Sequence, residues 1–125
     1  MLGYRMRNEL KNIEKRIITI KNKINAIGEL RPGSLSKQYN VCGKKSCKCK
    51  DPKNPQKHGP YYQISYSRKG KSSSAFVRPA FLPEAKRQLS NYKKLMELVS
   101  TWIDLGLEHS KIKMKLLKEE SKNSK

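Results

Sequence analysis

Acidic side chains are scarce in this chain: ten Asp and Glu stand against 29 Lys and Arg, a formal charge of +19 over 125 residues. That imbalance exceeds what solubility asks of a small protein, and it points to a polyanionic partner, nucleic acid ahead of an anionic membrane. The acids present, Glu9, Glu14, Glu29, Asp51, Glu84, Glu97, Asp104, Glu108, Glu119 and Glu120, are diluted among lysines. They form no carboxylate cluster of the kind a two-metal nuclease or transposase needs. A glycine-rich phosphate loop is missing as well, since Gly43-Lys44 lacks the preceding glycine spacing. These absences predict a binding protein, not an enzyme, with no small-molecule substrate.

Long apolar runs are also lacking. Nothing approaches the length of a membrane span, and the opening MLGYRMRNEL has no uninterrupted apolar signal region. The expected location is the cytoplasm, on the nucleoid if the partner is DNA, with no membrane association.

Cysteine is sparse and odd in number, three residues, all within the stretch 41–62, VCGKKSCKCKDPKNPQKHGPYY. A disulfide would leave one thiol over, and Cys47 and Cys49 are too close in sequence to bridge easily. A catalytic thiol activated by Lys44, Lys45, Lys48 and Lys50 would explain one cysteine and leave two idle. Convergence on a single ion uses all three. Cys42, Cys47, Cys49 and His58, spaced C-x4-C-x-C-x8-H, supply the tetrahedral sulfur and nitrogen set that Zn²⁺ accepts. Asp51 is an alternative to His58 as fourth ligand, and His109 is a more distant one. With four protein ligands the site is structural; three cysteines alone would leave a position open for chemistry. The stretch is too rich in Lys, Pro and Gly to bury a core of its own, so metal binding is expected to order it.

Two segments carry helical periodicity. In the first, about residues 4–27, Met6, Leu10, Ile13, Ile17, Ile20, Ile24 and Ile27 recur at steps of three and four, a heptad seam. Gly28 and Pro32-Gly33 end it. The second opens near Pro83 and Glu84, both suited to a helix start. It carries two stripes: Ala85, Leu89, Tyr92, Met96, Val99 and Ile103 on one, and Leu95, Leu98, Trp102, Leu105, Ile112 and Leu116 with His109 on the other. Two stripes require two neighbours, among which the first helix, a second copy of the chain and the apolar face of the sheet are candidates. Gly106 is a potential bend or break.

Between the helices lies the β signal. Leu35, Tyr39 and Val41 alternate with polar residues in LSKQYNV, a short strand. The loop then runs to Pro60, with Pro52, Pro55 and Gly59 against regular structure. In YYQISYSRKGKSSSAFV a two-residue Lys69-Gly70 turn sets Tyr62 opposite Val77, Ile64 opposite Ala75 and Tyr66 opposite Ser73. The other face then carries Gln63, Ser65, Ser67, Ser72, Ser74 and Phe76, and the tip is the cationic run Arg68-Lys69-Gly70-Lys71.

The expected fold class is α+β: two long, coiled-coil-like helices flanking a small antiparallel hairpin or sheet with a zinc-pinned loop. Its divisions are an N-terminal heptad helix over 1–30, the zinc-loop and hairpin module over 31–80, a long helix over 81–117 and a polar tail over 118–125. The expected partner is nucleic acid, DNA in preference to RNA. Lys44, Lys45, Lys48, Lys50, Arg68, Lys69 and Lys71 are expected to contact phosphate, and Gln63, Ser65, Ser67, Ser72 and Ser74 to make finer contacts. An RNA-binding or ribosome-associated role, with Tyr61, Tyr62 or Tyr66 stacking on bases, is the alternative. A helical protein-interaction subunit is a further one, leaving the charge unexplained. The narrow helical seams predict a homo-oligomer.

The residues Gly33-Ser34-Leu35-Ser36, Cys42-Gly43-Lys44 with Cys47 and Cys49, His58-Gly59-Pro60-Tyr61-Tyr62 and Gly70-Lys71-Ser72 carry a resemblance. Over about residues 33 to 100 the chain is similar to a family of short bacterial and archaeal proteins known only as a domain of unknown function. The resemblance implies a coherent unit and an association with mobile elements. The order of aromatic strand, turn, second strand and helix also resembles the arm-type DNA-binding domains of phage integrases, which implies reading DNA through a sheet and assigns no residues.

Overall fold

The computed structural model describes residues 2–40, 46–54 and 56–123. They form helix α1 (Leu2–Asn25), strands β1 (Ser34–Asn40), β2 (His58–Arg68) and β3 (Lys71–Val77), and helix α2 (Leu82–Asn123), with 3-10 turns at Lys48–Lys50 and Pro79–Phe81. The fold class is thus α+β. The chain divides into a helical unit, Met1–Gly28 with Lys93–Lys125, and a β unit, Glu29–Tyr92.

In the helical unit α1 runs antiparallel to α2, as three cross-pairs along their length record. Arg7 donates to Glu120 at 2.6 Å, His109 Nε2 lies 3.0 Å from Glu14 Oε1, and Lys21 Nζ sits 5.1 Å from the centre of the Trp102 ring. The α1 seam is covered by α2 of the same chain: Ile13, Ile20 and Leu105 are buried together, with Ile17, Ile24, Leu98 and Ile112 packed around them. This is the stripe of α2 that holds Leu105 and His109; on the other stripe Met96 and Ile103, within this unit, stay exposed. Two expectations change. Helix α2 is continuous through Gly106, and it runs on to Asn123 where a polar tail was expected over 118–125. Lys, Glu and Ser cost a helix little, and the Arg7–Glu120 pair supports this last stretch.

In the β unit the sheet is antiparallel in the order β1-β2-β3. The β2–β3 register is the one the alternation predicts, with Tyr62 opposite Val77, Ile64 opposite Ala75 and Tyr66 opposite Ser73. Lys69 at φ 51° and Gly70 at φ 79° form the turn, both in the left-handed region a two-residue hairpin demands. Strand β1 adds to the other side of β2, Leu35 opposite Ile64 and Ser36 opposite Gln63. One face therefore gathers Leu35, Ile64 and Val77, and the start of α2 closes it with Ala85 and Leu89. The segment leaving α1 is tied to the same turns of α2: Arg31 N donates to Gln88 O, and Asn91 Nδ2 to Glu29 O. Gly33, at φ 136°, has room for no side chain, because a Cβ there would stand 2.8 Å from Ile64 Cγ2 and 3.0 Å from Ser65 O.

Strand β2 begins at His58, not after Pro60 as the loop reading had it. The register slips between Gln38 and Asn40, and Asn40 then meets His58. Such an irregularity tolerates a proline inside a central strand. At Gly59, φ 139°, a Cβ would come within 2.8 Å of Gln38 O, so the H-G-P run is a glycine-dependent entry into the sheet.

Candidate metal centre and sheet face

Residues too polar to pack on one another converge at the base of β2. Cys47 precedes the 3-10 turn Lys48–Lys50 with extended backbone, and the turn is closed by Lys50 N to Cys47 O at 3.1 Å. Asp51 N and Gln56 N both donate to Lys48 O, which ties the return of the loop to the same turn. The turn swings Cys49 to the side of Cys47 and buries it to 1% exposure, while Lys48 and Lys50 remain in solvent. The strand start brings His58, and its Nε2 lies 3.1 Å from Cys47 Sγ. The ligand atoms of Cys47, Cys49 and His58 all lie within 4.8 Å of one another. Two sulfurs and an imidazole nitrogen at this spacing can hold a metal ion, since tetrahedral ligands about one ion stand 3 to 4 Å apart.

Cys42, expected as a further ligand, and Lys44 and Lys45, expected at phosphate, lie outside the described residues. His58 holds its expected place in the cluster, and its alternatives, Asp51 and His109, are not part of it. Asp51 Oδ1 accepts from Lys53 N at 3.0 Å in a local turn, and His109 belongs to the helical unit, paired with Glu14.

Residues 10–87 match the family model described as a domain of unknown function, DUF6788. The chain belongs to the DUF6788 family. The DUF6788 match takes in the whole sheet and the Cys47–Cys49–His58 cluster; it starts earlier and stops sooner than the stretch 33 to 100 on which the resemblance rests. No curated protein and no solved structure matches the chain.

The second feature of the β unit is the sheet face turned away from α2. Ser65, Ser67, Ser72 and Ser74 are exposed on it and Gln63 is half-buried. Ser67 and Ser72 share a hydrogen bond of 2.9 Å across the strands, so these two hydroxyls act as a pair. Arg68, Lys69 and Lys71 are exposed at the tip. The short strand expected in LSKQYNV is β1, but its pairing with β2 was not foreseen, and that register sets Ser34 and Ser36 beside Ser65 and Gln63 on this face. The alternation of Ser34, Ser36 and Gln38 was the available signal; nothing local says which edge β1 joins. Toward the metal end the face turns aromatic, with Phe76 70% and Tyr61 42% exposed. Tyr62 and Tyr66 are half-buried, and Arg31 stacks on the Tyr66 ring at 5.5 Å. On the opposite side Lys37, fully exposed, is raised above the ordinary lysine range by its hydrogen bond to Tyr39, so it keeps its charge. No helix among the described residues is long and apolar enough to cross a membrane.

Proposed function

We propose that this DUF6788 protein is a zinc-containing nucleic-acid-binding protein that lays the open face of its sheet on duplex DNA. The observation that carries the reading is that face: a three-stranded surface of serines and Gln63, left uncovered in a chain of charge +19. Cationic groups mark both of its ends, Arg68, Lys69 and Lys71 at the tip and Lys48 and Lys50 beside the metal donors. From His58 to Arg68 the central strand is about 33 Å long at 3.3 Å per residue, close to one turn of B-DNA at roughly 34 Å. Lysines at the two ends would neutralise phosphates while short hydroxyls between them approach base edges in the major groove. Thiolates and an imidazole favour Zn²⁺ over harder ions, and Cys42 is the residue we assign to the fourth position. So filled, the site has no open position and serves to hold the loop and its lysines in place. The groove of about 650 Å³ beside Tyr66 and Tyr92 is lined by serines, glycine and proline without a charged side chain, which supports binding in place of catalysis.

A second reading has its own observation. Phe76 and Tyr61 are exposed on the same face and are suited to stacking on unpaired bases of RNA or single-stranded DNA.

The test is salt-titrated binding to matched duplex DNA, single-stranded DNA and RNA. Duplex binding should be preferred, and K69E/K71E should flatten the slope of log K against log salt by about two. An unchanged slope would remove the tip from the surface. Preference for single strands, lost in Phe76→Ala, would replace the duplex reading with the stacking one. Metal analysis should return one zinc per chain, falling in Cys47→Ser.

A further inference from the structure

Helix α2 in the helical unit presents two opposite faces, and α1 covers only one. Leu98, Leu105 and Ile112 follow at intervals of seven and pack on α1. At 100° per residue, Met96, Ile103, Leu107, Met114 and Leu117 fall on the far side of the same helix. They are between 43 and 69% exposed. Their spacing is again that of a heptad seam, about 32 Å long at 1.5 Å per residue. An apolar stripe of this length in a chain otherwise crowded with lysine requires an occupant.

The flank of the stripe says which. Glu97, Asp104, Lys111 and Lys118 follow one another at intervals of seven along one edge of the seam. The first two are acidic and the last two basic, and all four are exposed. Among the described residues none of the four is in an ion pair. Such an edge is complementary to its own reverse. When a second α2 lies antiparallel, Glu97 meets Lys118 of the second copy and Asp104 meets Lys111, each pair twice by symmetry. Both pairs share a midpoint between Leu107 and Glu108, and Leu107 is the seam residue at that point. An axis within one residue of that point sets Met96 against Leu117 of the second copy, with the midpoint between Gly106 and Leu107, and Ser100 against Met114, with the midpoint at Leu107. An axis near Leu107 thus serves the charged edge and the apolar seam together, whereas in a parallel pairing the two-fold runs along the helices and sets the two charged edges on opposite sides of the seam, where they do not meet.

We propose that the Met96–Leu117 face of α2 is a homodimer interface with its two-fold axis at Leu107. Repulsion between two strongly basic chains is screened at moderate salt, since the Debye length near 0.1 M is about 10 Å.

Sedimentation equilibrium on full-length, nucleic-acid-free protein at moderate salt tests this. A concentration-dependent dimer is expected, and Leu107→Glu should leave a monomer whose helical circular dichroism matches the parent. Asp104→Lys should weaken the dimer about tenfold, and D104K/K111D, which restores opposite charges across the axis, should regain most of that loss. Both charged positions are exposed, so the swap is informative even if Leu107→Glu folds poorly. A parent chain that stays monomeric, a dimer indifferent to Leu107→Glu, or a double variant no better than Asp104→Lys would each overturn the proposal, the second of these by placing the contact on another surface.

Discussion

Each of the two units buries four side chains among the described residues, and they are held together in different ways. In the helical unit Leu10, Ile13, Ile20 and Leu105 lie along a seam between helices that already satisfy their own backbone hydrogen bonds. Burial is spread evenly there, and each turn supports the next. In the β unit Ile64, Ala85 and Leu89 form one small cluster, and Cys49 is buried apart from them, next to Cys47 and His58. The residues around that cysteine, Lys48, Lys50, Lys53 and Lys57, are exposed and repel one another. Apolar burial suffices where the backbone is regular; in the lysine-rich loop it is absent, and there the proposed zinc would take its place through the converging donors.

The largest way to break this comparison is to remove the proposed zinc. A structural zinc contributes on the order of 10 kcal/mol in small metal-ordered domains. Chelation should abolish amide-exchange protection over 46–68 while most of the helical circular dichroism persists. Loss of both signals together would show that the helices depend on the loop.

Next in size are truncations of the two cores. Ile64→Ala and Ile20→Ala should each cost about 2 to 5 kcal/mol. Trp102, the single tryptophan, sits in the helical unit and reports that unit in urea titrations followed by fluorescence. Ile20→Ala should move the Trp102 transition and Ile64→Ala should move chiefly the exchange of the sheet amides. Equal shifts of the Trp102 transition in both variants would mean one cooperative structure in place of two.

The smallest effects have opposite signs. Gly33→Ala forces a Cβ to within 2.8 Å of Ile64 at a left-handed φ, and should cost about 2 kcal/mol. Gly106→Ala has nothing within 4 Å of its new Cβ and lies inside α2, so it should stabilise the helical unit by up to about 1 kcal/mol. Thermal unfolding of the two variants checks the pair, and a stabilising Gly33→Ala would contradict the packing described around Ile64.

Much of this was legible beforehand where the cause is local. The alternation in YYQISY and SSSAFV with Lys69-Gly70 between them specifies the hairpin register, because a slip of one residue would turn Ile64 out to solvent. The seven seam residues of α1 are legible for the same reason at helical period. The donor types were legible too, since two thiols and an imidazole in a stretch without a core have little else to do. The start of β2 at His58 was not, because Gly59 and Pro60 read as loop residues and only the slipped pairing with Asn40 gives them a place in the sheet.

The sequence by itself therefore determined the elements, the apolar faces, the charge and the residue types able to hold a metal, all of which follow from periodicity and side-chain chemistry within a few residues. Tertiary structure decided the rest. It placed β1 against β2 so that Ser34 and Ser36 extend the open face, carried His58 across eleven residues to Cys47, and chose which stripe of α2 faces α1. Those choices compare the burial of one face with that of another, and the comparison exists only once distant segments meet.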